Sequence, residues 1–407
     1  MIVIFRLQAV VALSLGLSAV SLNARATSAA TSQSEQASAI AKIVQNSMKT
    51  EHLRAVIVKV TQGDKVVTSQ AFGESMTGVP ATTPMHFPNG AVAFAYLGTL
   101  LMEFVDEHKV KLDDTIDRWM PKLPEANKVT LKMLANQTSG YPDFETDPKW
   151  LAAWSADPFH IWTFDERLKY AFSRPVQFAP GTNWSYAHTN FMILGEILSK
   201  IGGKSLDTLL REKVLDPMGL KNTTASQTSE IPIPVLHAFD SERRGALKIP
   251  PNVPFYEESS FWNAQWGTPM GANQTTNIDD MVTTAVKVGT GVLLSKSSYE
   301  AMTAPNLLGF GHKQDNCAPS CFTQVNGYNY GIGVVRSGSW LLQNPLLDGY
   351  SATEAYLPSK KIAIAVAVTF APEAFDSQGN YKNSSDTVFR SIGAYLAPDD
   401  PPPTAKN

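Results

Sequence analysis

The sequence is short of charge. Only 17% of its 407 residues are Asp, Glu, Lys or Arg, against about 25% in ordinary soluble domains. The 34 basic and 37 acidic side chains give a net charge of −3. No basic block stands out, which argues against nucleic acid as a partner. Cysteine is scarce, with two residues, and this excludes a disulfide-dense scaffold and a multi-cysteine metal site. The histidines form no His-Glu-x-x-His or other close metal spacing, so no metal and no cofactor are expected. Gly and Pro, 26 each, are too few for collagen-like or low-complexity chain. Long apolar runs are missing apart from one at the N-terminus.

That run reads as an export signal. Arg6 is followed by LQAVVALSLGLSAVSL at 7–22, and Ala24-Arg25-Ala26 matches a small-x-small cleavage pattern. Residues 1–26 are therefore expected to be removed, leaving an exported chain, periplasmic or extracellular, with no membrane span. Export favours a local disulfide between Cys317 and Cys321, a staple on a polar loop; a metal or redox pair is the competing reading.

Hydrophobic composition, at 43%, supports a large buried core. Helical spacing at 34–50 is followed by strand-like runs at 55–60 and 65–72 around Gln62-Gly63-Asp64, a hairpin turn. Residues 91–108 read as a helix apolar on most faces, preceded by the turn residues Asn89-Gly90. Short helices are expected at 164–172, 189–201 and 205–215. Residues 229–270 read as irregular loop, and 277–289 as a helix capped by Asn277 or Asp279. Strands are expected at 328–336, 350–357 and 361–370, then a helix at 384–396. The Pro-rich tail, 397–407, is expected to be disordered. This predicts an α+β fold: one antiparallel sheet built from both termini and flanked by helices. A mainly helical subdomain, about 110–290, is inserted within the domain 27–396.

Several stretches resemble the serine β-lactamase and penicillin-binding DD-peptidase superfamily, in its class C and esterase-like branch. They include VKLDDTIDRWMPKLP at 110–124, VTLKMLANQTSGYPDF at 129–144 and FAPGTNWSYAHTNFMILGEIL at 178–198. YGIGV at 330–334 and GYSATEAYLPSKKIAIAV at 349–366 continue the pattern. The resemblance implies a β-lactamase/transpeptidase-like fold and acyl transfer by a serine activated by a lysine one helical turn away. It also implies a Tyr-x-Asn element and a third element, Lys or His with Ser/Thr and Gly, that holds a substrate carboxylate.

The decisive positions depart from that pattern. The helix opening falls on Phe87-Pro88-Asn89-Gly90-Ala91-Val92-Ala93-Phe94, so the serine position is Ala91 and the lysine position is Phe94. No serine anywhere in the chain has a lysine three residues later. Tyr186 is kept, but His188 stands where asparagine is expected. The third element falls on Gln343-Asn344-Pro345 in one register and on Leu347-Asp348-Gly349 in another, and neither supplies the cation with its hydroxyl. Loss of a nucleophile that acts as part of a unit costs about 10⁶-fold in turnover. A tyrosine with no neighbouring cation is ionised to only about one part in a thousand at pH 7.

The sequence thus points to an exported member of that superfamily without serine acyl transfer, a non-catalytic binding or scaffold protein. Its partner would be a peptidoglycan-like fragment, another small acyl ligand or a protein. The binding candidates are Tyr186, His188, Phe94, Asn344 and Gly349. The alternative is an active ester or amide hydrolase using Tyr186, His188 and an unrecognised nucleophile. His188 itself is either a new acid/base or ligand-contacting group or a hydrogen-bonded replacement for the asparagine. Ser139 reads as a turn residue. Ser351 imitates a nucleophile elbow without its second glycine. The aromatic stretch 255–266 either lines a cleft or packs on the core.

Overall fold

The computed structural model describes residues 33–226 and 228–404. The proposed signal segment and the last three residues lie outside them. Helix α1 (33–50) buries Ile40 and Val44, one turn apart. It leads into β1 (Leu53–Gln62) and β2 (Lys65–Met76), an antiparallel pair closed at Gly63. Near the other end of the chain, β3 (Trp340–Gln343), β4 (Tyr350–Leu357) and β5 (Ile362–Phe370) complete the centre of the sheet. β1 lies antiparallel to β5, with Val56 opposite Val368, so the two ends of the chain share one sheet. Every residue of β4 and β5 is buried. Such strands are covered on both faces and read as apolar runs instead of alternating. The covering helices are α4 (Ile278–Thr290) and α5 (Ser384–Leu396).

The expected strand at 328–336 is broken. Asn329–Tyr330 and Val335–Ser337 are short strands on either side of a turn, and β3 enters the sheet between Val335–Ser337 and β4. The turn presses against α2 (Val92–Asp106), and two glycines permit the contact. A Cβ on Gly98 would meet the Ile332 carbonyl oxygen at 2.4 Å, and one on Gly333 (φ +71) would meet the Phe94 carbonyl oxygen at 2.2 Å. This fixes the opening of α2 beside the end of β3.

The helices between the two halves of the sheet include Phe164–Ala171, which starts in a capping box of Thr163 and Glu166, and α3 (His188–Gly202), which ends at Gly203 in the left-handed region. Residues 229–270 are largely irregular, interrupted by the paired two-residue strands Phe239–Asp240 and Glu257–Glu258 and by 3₁₀ turns at Glu242–Arg244 and Ala264–Gly267. Asn277 caps α4 by accepting from the Asp280 N–H. Although expected in the inserted helical part, α4 packs on β1, β4 and β5. The tail also departs from expectation: residues 397–404 are packed, not disordered. Trp340 Nε1 donates to the Asp400 carbonyl at 3.0 Å, Ser337 Oγ donates to the Pro403 carbonyl at 3.2 Å, and Pro402 lies beside Gly393. Pro402 is buried there, which composition alone does not reveal. Among the described residues, no helix is long and apolar enough to cross a membrane.

Candidate functional site

A cleft of about 280 Å³ opens where the start of α2, the segment before α3 and the end of β3 converge. Ala91, the residue preceding α2, stands in its wall with no side-chain cap. Phe94, one turn on, is wholly buried and does not line the cleft. Its ring stacks on Phe191 of α3, centroids 3.9 Å apart and planes 5° from parallel. Phe94, named as a binding candidate, therefore does not reach the cleft: it is an apolar foundation under an open site.

Tyr186 and His188 bracket the start of α3, and both line the cleft. Their rings meet edge to face at 5.1 Å. Burial, then the neighbouring tyrosines and the carboxylates of Asp143 and Glu145, push the Tyr186 phenol well above its ordinary value. It is protonated at neutral pH.

His188 has partners that no local spacing reveals. Its Nδ1 lies 3.0 Å from Asp143 Oδ2 and 2.7 Å from Glu145 Oε2. Burial alone would lower the imidazole pKa; the charges of Glu145 and Asp143, with their hydrogen bonds, outweigh it and raise the value to about 10. His188 is thus an imidazolium at neutral pH, with no free base to offer. Asp143 and Glu145 flank Phe144 in a short 3₁₀ turn, in which Asp143 Oδ1 accepts from the Glu145 N–H. Thr189, the next residue of α3, ties down this turn: its hydroxyl donates to the Pro142 carbonyl at 2.7 Å and accepts from the Phe144 N–H at 3.2 Å. Among the described residues, Asp143, Glu145 and His188 are the one trio of metal-ligand type whose donor atoms converge, within 4.8 Å.

Of the two registers for the third element, Gln343-Asn344-Pro345 lines the cleft along with Leu347, and Gly349 does not. Gln343 Nε2 donates to the Gly333 carbonyl at 2.6 Å, and Asn344 Nδ2 donates to Asp386 Oδ1 at 3.3 Å. Both amide groups are turned away to structural partners. Gly349 instead accepts no cleft role; its N–H donates to the Tyr381 hydroxyl.

The serines are structural. Ser139 Oγ donates to Asn190 Oδ1 and accepts from the Tyr141 N–H, fully buried. Ser351 Oγ donates to Asn383 Oδ1 and accepts from the Ser385 N–H. The aliphatic hydroxyl in the described cleft wall is that of Thr268. It is 3% exposed, and its Oγ1 is buried, with no hydrogen-bond partner among the described residues. The aromatic stretch 255–266 mostly packs, with Trp262 edge-on to Trp154 at 5.7 Å; Ala264 alone of its residues described here reaches the cleft wall. Cys317 and Cys321 are joined in a disulfide, and the Cys321 backbone bridges to Ser185 next to Tyr186.

A two-ended antiparallel sheet, an apolar helix opening into a cleft and a Tyr at the start of a second helix define the β-lactamase/transpeptidase class. The chain belongs to the beta-lactamase family, whose profile matches residues 40–388. It is 30% identical over 170 residues to a D-aminopeptidase of Brucella anthropi, covering 40% of this chain and 31% of that protein. It is also 30% identical over 131 residues to the D-alanyl-D-alanine-carboxypeptidase/endopeptidase AmpH of Escherichia coli, covering 31% and 33% of the two chains. The matched stretches thus span about a third of each of these relatives. Among solved structures, a D-amino acid amidase of Ochrobactrum anthropi superposes with a TM-score of 0.73 at 20% identity, covering 89% of this chain and 99% of that one. At that identity the likeness concerns the fold.

Proposed function

We propose that this protein is a ligand-binding member of the family that has lost serine acyl transfer, exported after removal of residues 1–26. One observation carries the reading: the position aligned with the nucleophile is the methyl group of Ala91, and no activated hydroxyl has taken its place in the described cleft wall. Three features support it. Phe94 replaces the expected amine with a stacked ring. His188 is held protonated, so it cannot accept a proton near neutral pH. Gln343 and Asn344 are committed to structural hydrogen bonds. The cleft itself persists and is open, as a binding role requires.

The family's peptidase relatives keep open the alternative of hydrolysis through Tyr186 and His188. Both groups carry their protons at neutral pH, which leaves that route without a base. The test is labelling of the purified protein with a fluorescent penicillin, together with turnover of a chromogenic cephalosporin. Neither stable label nor turnover above a no-protein control is expected. Covalent labelling that survives denaturation would overturn the proposal.

A further inference from the structure

We propose that the Cys317–Cys321 disulfide is a redox latch on the cleft. The wall that carries Tyr186 and Tyr328 is held in place once the bond forms and is released when the two cysteines are thiols. This rests on the reading of the cleft as a binding site, and it names what controls that site.

The first observation is what the bond organises. Between the helix Lys296–Thr303 and the short strand Asn329–Tyr330 the chain has one regular element, the 3₁₀ turn Asp315–Cys317. The stretch GFGHKQDNCAPSCFTQ at 309–324 is mostly polar. Cys317 and Cys321 are 5% and 1% exposed, and with Phe178 they form an apolar cluster separate from the main core. The loop is thus closed on a small core of its own, and the bonded cysteines make up most of it.

The second observation is where the loop is fastened. Gln314 Nε2 and Asn316 Nδ2 both donate to the Gln177 carbonyl, at 2.9 and 2.8 Å. Asn183 Oδ1 accepts from the His312 N–H at 2.9 Å, and Asn183 Nδ2 donates to the His312 carbonyl at 3.2 Å. Cys321 itself forms a backbone bridge to Ser185. All of these contacts grip the segment 177–185, which continues directly into Tyr186 and the first turn of α3 with His188. Beyond Cys321, Phe322 packs on Trp184 with centroids 4.7 Å apart and meets Tyr328 edge-on at 5.7 Å. Tyr328 lines the cleft together with Tyr186. The loop therefore sets two residues of the cleft wall, Tyr186 through the segment it grips and Tyr328 through its own continuation.

The bond is made by a two-electron oxidation. The two thiols give up two protons and two electrons, the sulfurs join, and a disulfide-donating oxidant is reduced to its own dithiol. The ring from Cys317 to Cys321 is short, and on chain entropy its closure favours the ordered loop by about thirtyfold. Without the bond the loop loses that bias. Because its core is separate from the main one, it opens while the sheet stays folded. Export, as proposed above, moves the chain into a compartment where disulfides persist. The cleft wall is thereby completed after export and is loose before it.

The test compares amide hydrogen exchange of the full mature chain in three forms: oxidised, reduced with dithiothreitol, and Cys317→Ser with Cys321→Ser. The state of the bond is read by alkylation and mass. Peptides covering 177–188 and 309–328 are expected to exchange at least about tenfold faster in the second and third forms, with the peptides of β4 and β5 unchanged. The His188 Hε1 resonance should move or broaden in the same two forms. Oxidised glutathione should restore both readouts in the reduced wild type and neither in the variant. Unchanged exchange at 177–188 without the bond would overturn the inference. So would faster exchange throughout the sheet, which would make the bond a general staple. A bond that dithiothreitol leaves intact in the folded chain would overturn it too, since such a bond is no switch. Penicillin labelling reports on the loss of acyl transfer separately, so either conclusion can fail alone.

Discussion

His188→Asn restores the residue expected from the family and should nevertheless destabilise this protein. In the folded chain the imidazole is shielded and gripped at Nδ1 by Asp143 and Glu145, which raises its pKa from 6.5 to about 10. Its side chain is 14% exposed, so solvent screening is modest. A rise of that size represents on the order of 3–5 kcal/mol of stability, the range also seen when one partner of a buried ion pair is removed. The sign follows from linkage. Below pH 6.5 the imidazole is protonated in both folded and unfolded chains, and the full contribution is present. Between pH 6.5 and 10 the unfolded chain sheds the proton while the folded chain keeps it, and the contribution drains away. Above 10 it is gone. Urea unfolding of wild type and His188→Asn at pH 6, 8 and 10 should therefore show a gap that is largest at pH 6 and narrows steadily. NMR of the histidine Hε1 protons should show one resonance, absent from the variant, that fails to titrate through pH 6–8. A midpoint between 6 and 7 for that resonance, or a stability gap independent of pH, would refute the reasoning.

Other expectations follow from the same geometry. Phe94→Lys places an ammonium against Phe191 in a fully buried floor and should lower stability by several kcal/mol, seen as a large drop in melting temperature. Ala91→Ser with Phe94→Lys should remain unlabelled by fluorescent penicillin, because the third element is still missing; a covalent adduct would show that the pair alone was lacking. Gly333→Ala forces a Cβ to within 2.2 Å of the Phe94 carbonyl oxygen at a positive φ, so a loss of about 2 kcal/mol or more is expected by chemical denaturation. Truncation after Leu396 removes the groups that cover Trp340 and should lower the melting temperature by several degrees, measured by scanning calorimetry; an unchanged melting temperature would mean that the tail does not contribute to the fold.

Local pattern made much of this fold readable. The β1–β2 hairpin announced itself through apolar runs on either side of Gln62-Gly63-Asp64, and α2 through its length and apolar character. What stayed hidden depends on contacts between distant residues. β3 is a four-residue strand, WLLQ, too short for periodicity to mark, and its place in the sheet comes from pairing with β4. The break at Gly331–Val334 reflects the close approach to α2, which a sequence of strand-forming residues does not announce. At the site, Ala91, Tyr186, His188 and Asn344 were legible because the resemblance supplied positions, and all four line the cleft. Phe94 and Gly349, named on the same basis, lie outside the lining. Asp143 and Glu145 were missed. They stand about 45 residues before His188, and only the fold brings the carboxylates onto its ring. The stretch TSGYPDF, already quoted for the resemblance, contained Asp143 and was the available hint. Thr268 has no sequence signature, because the cleft wall it stands in is assembled from separate segments.

The parallel stack of Phe94 on Phe191 has a historical consequence. A ring wedged between two helices becomes a clasp that each helix then adapts to, and a lineage that has acquired it cannot easily step back. Reintroducing an amine at that spot breaks the clasp, so that step carries a stability cost of its own, whether or not a serine already stands at position 91. The stack thus makes the residue at position 94 harder to change than its neighbour at position 91, which stands in the cleft wall.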